Sequence, residues 1–153
     1  MDWQAYLAKA RNSLRTAQTA YEEGNVLICP IGVLDTNVRE RKLGHYHEEG
    51  DFDSCASRAY FAVFQGEIAA LIKLTEFRQE QWGHDRVQEE FNRRLIRARK
   101  LFPSSLRSIH NDLTGRRRLA DYTDQYTSVR TAEDCLRKAA EMITTIAGVL
   151  GEP

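Results

Sequence analysis

At 153 residues, with 42% hydrophobic and 29% charged side chains, the chain has enough apolar material for a buried core and too much for a disordered segment. Its 22 basic and 22 acidic residues cancel, which removes the overall positive charge of most nucleic-acid binders but leaves room for a local basic patch. Three prolines and nine glycines permit long helices, and three cysteines, odd in number and far apart, suggest neither a zinc site nor a disulfide framework. With no leader-like segment and no long apolar run, a cytoplasmic protein away from membranes is expected, with no metal and no cofactor.

Trp3 to Glu23 reads as the first helix, because Leu7, Ala10, Leu14, Ala17 and Tyr21 recur at alternating spacings of three and four, and Gly24 fits a C-terminal cap. Residues 25–50 break that pattern. Val26 to Leu34 is an apolar run interrupted by Pro30 and Gly32, followed by turn residues and the basic stretch Arg39 to Lys42. An irregular inserted arm is expected there, packed across the bundle or against a partner chain.

Asp53 to Phe77 is the stretch around which the chain is organised. Ala56, Ala59, Tyr60, Val63 and Phe64 share one helical face, and Ile68, Leu71, Ile72 and Thr75 continue it. Asp51 or Asp53 suits the N-cap. The segment is apolar over more than half its girth and rich in alanine, so neighbours can approach from several sides. Cys55 and Cys135 fall in apolar helical patterns and read as buried free thiols.

Trp82-Gly83-His84 makes a break, and a third helix is expected from about Asp85 to Lys100, with Val87, Phe91, Leu95 and Ala98 inside. Arg93, Arg94, Arg97, Arg99 and Lys100 fall on its outer face, either as a solvated surface paired with Glu89 and Glu90 or as a phosphate-binding one. Ser104 suits the N-cap of a fourth helix with the stripe Leu106, Ile109, Leu113, Ala120. Arg117 interrupts that stripe: a guanidinium that cannot lose its charge stands where an apolar side chain belongs. Asp121, one turn on, is its nearest acceptor, and His110 lies near the same face. After a turn over 124–130, Thr131 is expected to cap a final helix with Ala132, Leu136, Ala139, Ile143, Ile146 and Leu150 inside. Together these segments predict an all-α, up-and-down bundle of four to five helices, one domain over 1–153 carrying the arm at 25–50.

Three stretches in register resemble the small HEPN-domain proteins. They are Cys55-Ala-Ser-Arg-Ala-Tyr-Phe-Ala-Val-Phe64 of the central helix, His84-Asp-Arg-Val-Gln-Glu-Glu-Phe91, and Arg117-Arg-Leu-Ala-Asp-Tyr122, the last similar to the Arg-x-x-Ala-Asp-Tyr segment of one branch. The resemblance covers the first helix and residues 51–150. It implies a symmetric homodimer with a cleft between protomers, and many such proteins are toxins paired with a nucleotidyltransferase antitoxin. Active members are metal-independent ribonucleases that use an Arg and, a few residues later, a His. The imidazole moves the 2′-hydroxyl proton while the guanidinium holds the phosphate.

This chain departs from that pattern. Tyr122 stands where the His would follow Arg117, and no His occurs after His110. Tyrosine, with a pKa of about 10, is a poor base at neutral pH. Arg78/His84, Arg39/His45 and Arg41/His47 have suitable spacings, but coincidences are expected among so many arginines. Tyr122 and Tyr126 are candidate positions for the AMP group that some relatives receive, although neither sits in the relatives' motif.

The resemblance thus implies a module that pairs with a nucleotidyltransferase and binds RNA or a nucleotide in a dimer cleft without efficient cleavage, using Arg58, Arg117, Asp121 and Tyr122. A second reading is a metal-independent endoribonuclease with Arg117, Tyr122, His84 and His110 as catalytic candidates. In a third, Arg117–Asp121 is only a structural ion pair in a dimerisation scaffold.

Overall fold

Helix α2 (Asp51–Leu74) runs through the middle of the molecule and is covered by every other long helix. The computed structural model describes residues 2–28 and 51–152, leaving the side chains at 24–28 and 51 aside. From residue 29 on, the expected arm lies outside the described residues, as does Cys29. Ala56, Ala59, Tyr60, Ala62, Val63, Ala69, Ala70 and Leu71 are all buried, which is what an alanine-rich helix approached from several sides requires. The expected organising helix is therefore the observed one, and the architecture is an all-helical bundle of five helices among the described residues.

Helix α1 (Trp3–Ile28) lies along α2 with Leu7, Ala10 and Ala17 buried between them. It does not stop at the expected Gly24 cap. A glycine inside a helix costs only about 1 kcal/mol and ends one only where the backbone turns left-handed.

At the other end of α2, Thr75 Oγ1 donates to the Leu71 carbonyl at 2.7 Å and accepts from the Phe77 N–H at 3.0 Å. The Arg78 guanidinium donates to the carbonyls of Ile72, Thr75 and Phe77, each at 2.8 Å, and Arg99 donates to that of Leu74. Arginine side chains thus take up the carbonyls that a helix C-terminus leaves unpaired.

Helix α3 (His84–Glu90) passes directly into a π-helical segment, Phe91–Ala98. The change of winding alters which residues face inward. Val87, Phe91 and Leu95 are buried as expected, but Ile96 joins them and the expected Ala98 is exposed. The wider π turn takes more residues per turn, so the inward stripe slips along the chain. Lys100, with φ 51°, turns the backbone left-handed and ends the segment.

Ser104 does not cap a fourth helix. A 3-10 turn (Ser104–Ser108) follows Pro103, and α4 begins later, spanning Ile109–Tyr122. Helix α5 (Val129–Leu150) is capped by Ser128, whose hydroxyl accepts from the Thr131 N–H at 3.1 Å, so the expected cap moves three residues upstream. Asp53, the other expected cap, lies within α2 and accepts from the Thr127 N–H at 2.8 Å, which ties the turn before α5 to α2. Gly151, at φ 77°, closes α5, with the Glu152 N–H bonded to the Ala147 carbonyl at 2.9 Å.

Gly66 sets the closeness of α2 and α5. A Cβ there would lie 2.6 Å from Ile143 Cδ1 and 3.3 Å from Ile146 Cδ1, both buried side chains. Gly66→Val is expected to cost about 2 kcal/mol through overpacking. Urea unfolding would measure it, and an unchanged midpoint would mean that the seam has room to give. None of the described helices is long and apolar enough to cross a membrane.

Candidate functional site

Tyr60 is the hub of the polar cluster, fully buried on the face of α2 between α3 and α4. Its phenol is hydrogen-bonded to Nδ1 of His84, the first residue of α3. His84 is an exposed residue whose ring rests against Phe64, with ring centres 4.3 Å apart. From α4, the Arg117 guanidinium carbon lies 4.9 Å from the Tyr60 ring centre and 4.7 Å from that of Phe61. This arrangement lets a cation sit on apolar surface without losing all electrostatic compensation. Arg117 Nε donates to Asp121 Oδ2 at 3.1 Å, and the Ser57 hydroxyl donates to the same oxygen at 3.3 Å. The side chains of Arg117 and Asp121 are 20% and 30% exposed, so the pair faces solvent at its edge.

Beneath lies a second pair. His110 meets the Tyr60 ring edge-on with centres 5.4 Å apart, and its Nδ1 pairs with Glu67 Oε2 at 2.5 Å. Both side chains are nearly absent from the surface, at 3% and 1% exposure.

The titration behaviour follows from this layering. Burial pushes the Tyr60 phenol up to about 12, although nearby Arg117 pulls it partly back. His84 is held below the ordinary imidazole range, first by desolvation and then by the neighbouring Arg117 guanidinium and His110 ring, with Asp85 opposing. At neutral pH the cluster therefore presents a neutral imidazole, a protonated phenol and a permanent cation. Such a set can donate hydrogen bonds to an anion without first losing a proton.

Of the residues singled out from the sequence, the structure gathers His84, His110, Arg117 and Asp121 around or beside Tyr60. Arg58 and Tyr122 are exposed, Tyr122 at 73%, and neither has a hydrogen bond, ion pair or ring contact to the cluster among the described residues. The basic outer face of the third helix is largely satisfied internally. Arg93 and Arg94 pair with Glu90, and Arg99 reaches the Leu74 carbonyl, which leaves Arg97 and Lys100 to solvent.

Sequence reasoning missed Glu67 altogether and gave Tyr60 only a packing role. A signal for Glu67 was present: it is the one carboxylate between Asp53 and Glu76 at the two ends of the apolar central stretch, seven residues after Tyr60 and so on the same helical face.

A helical bundle with an arginine–histidine cluster beside its central helix narrows the class considerably. The HEPN domain family matches residues 44–149, more than half of the chain, and the protein belongs to that family. The match begins inside the stretch read as an inserted arm and does not include α1. Among curated proteins no match is found.

Proposed function

We propose that this chain is the HEPN half of a toxin–antitoxin-type pair with a nucleotidyltransferase. In this reading it acts as a homodimer that binds RNA or a nucleotide at the His84–Arg117 face without efficient cleavage. The supporting observation is the placement of Arg117 and His84 against one tyrosine, at the edge of the surface. A guanidinium and an imidazole N–H together suit a phosphate oxygen pair. Efficient cleavage needs both a base and an acid at the reacting atoms. Of the two histidines in the cluster, only His84 is exposed, because His110 is committed to Glu67 inside the core.

A metal-independent endoribonuclease is the second reading. It is favoured by the lowered pKa of His84 beside a permanent cation, as a base poised below neutrality would have. It requires Nε2 of His84 to be unprotonated.

Incubating a mixed RNA pool with wild type and Arg117→Ala in EDTA separates the readings. Intact RNA, bound in a salt-sensitive way by wild type and at least about tenfold more weakly by the variant, is expected. Circular dichroism should show unchanged helicity. Cleavage that is lost in the variant would establish the ribonuclease instead. If wild type neither binds nor cleaves, Arg117–Asp121 is left as a structural pair.

A further inference from the structure

We infer that Tyr60 is a positioning residue whose phenol fixes His84 in the Nε2–H form, making the imidazole a hydrogen-bond donor to a phosphate oxygen rather than a base. The inference rests on the proposed binding function for its ligand, but not for its geometry. Tyr60 is fully buried, so its O–H must find an acceptor within the protein. Arg117, lying against the same ring, has donors only and cannot supply one. The acceptor within hydrogen-bond reach of the phenol is His84 Nδ1. If Nδ1 carried the proton and donated to the phenol oxygen, the Tyr60 O–H would be left buried without a partner. With Nδ1 as acceptor, every group is satisfied and the single imidazole proton sits on Nε2. Nε2 has no partner among the described residues, and His84 is an exposed residue. A neutral imidazole thus offers an N–H outward beside the Arg117 cation. The same hydrogen bond removes the lone pair that a base would need on that side of the ring.

Tyr60→Phe tests this, since it keeps the ring beneath Arg117 and deletes only the hydroxyl. Long-range proton–nitrogen NMR of the histidine rings reads the tautomer directly, and a short fluorescent single-stranded RNA reads binding. Wild type should show His84 protonated at Nε2 at neutral pH. The variant should shift to the averaged tautomers of an unconstrained imidazole and bind the RNA about tenfold more weakly. A fold lesion would also free the His84 ring, so unchanged chemical shifts for the other rings are the control that shows the core intact and assigns the tautomer change to the lost hydroxyl. His84 protonated at Nδ1 in wild type, or no tautomer change in the variant, would overturn the inference. So would a changed tautomer with undiminished RNA affinity. If the tautomer changes but neither protein binds RNA, the Tyr60–His84 assignment stands and the RNA-binding reading falls.

Discussion

His110→Ala is expected to lower the unfolding free energy by about 3–5 kcal/mol, a large share of what a domain of this size possesses. The imidazole pairs with Glu67 at 2.5 Å between α2 and α4, with both side chains almost wholly out of water. Removing the ring leaves a buried carboxylate without its partner and opens a cavity beneath Tyr60. Much of the loss is the cost of the orphaned group rather than the worth of the pair. A double variant, Glu67→Met with His110→Phe, should therefore recover most of it. Urea unfolding of both singles and the double gives the coupling directly. A single-variant cost below about 1 kcal/mol would mean that water reaches the pair and that it contributes little.

Glu90→Ala should cost about 2–3 kcal/mol. This carboxylate, 1% exposed, receives Arg86 at 3.0 Å, Arg93 at 2.6 Å and Arg94, at the point where α-winding gives way to π-winding. Arg86 and Arg94 also lie over the Phe77 ring, so losing the anion would leave three cations crowded around one junction. Burial raises the Glu90 pKa, but the bonds from Arg94 and Arg93 outweigh it and hold the group below 4.5. Folded protein therefore binds fewer protons at this site than unfolded protein does just below that value, and stability rises with pH there. The contribution is complete above about 4.5 and is lost as pH falls through the depressed folded value. Glu90→Gln should flatten this part of the acid-unfolding curve, measured as melting temperature against pH. A variant curve parallel to wild type would show that other carboxylates govern acid sensitivity.

Periodicity made much of this molecule legible. Arg117 could be recognised because a three-four stripe has a definite next position, and a charge there must have a partner within one turn; the structure supplies Asp121. The same periodicity located the buried faces of α1, α2 and α5. It failed where the winding itself changed. Nothing in the side-chain order announces that the helix widens after Glu90, so Ala98 was placed inside and Ile96 was not. Tyr60 was assigned correctly to the core, yet its chemical role depends on a partner 24 residues away at the start of another helix. A one-dimensional pattern carries no such distance. The assembly of His84, His110 and Arg117 is likewise a product of how α3 and α4 cross α2, and no spacing encodes it.

The two buried cysteines have a practical consequence. Cys55 on α2 and Cys135 on α5 face the same interior, and Cys55 Sγ lies 3.7 Å from the Ala132 carbonyl. Desolvation raises Cys55 to about 12 and Cys135 to about 11, with each affected further by neighbouring charge. Neither thiol forms an appreciable nucleophile at neutral pH while the helices are closed. Capture by an alkylating reagent must then wait for α2 and α5 to part, and its rate reports how often they do so. The protein carries its own clock for breathing motions along the α2–α5 seam, readable by mass spectrometry without engineering in a cysteine.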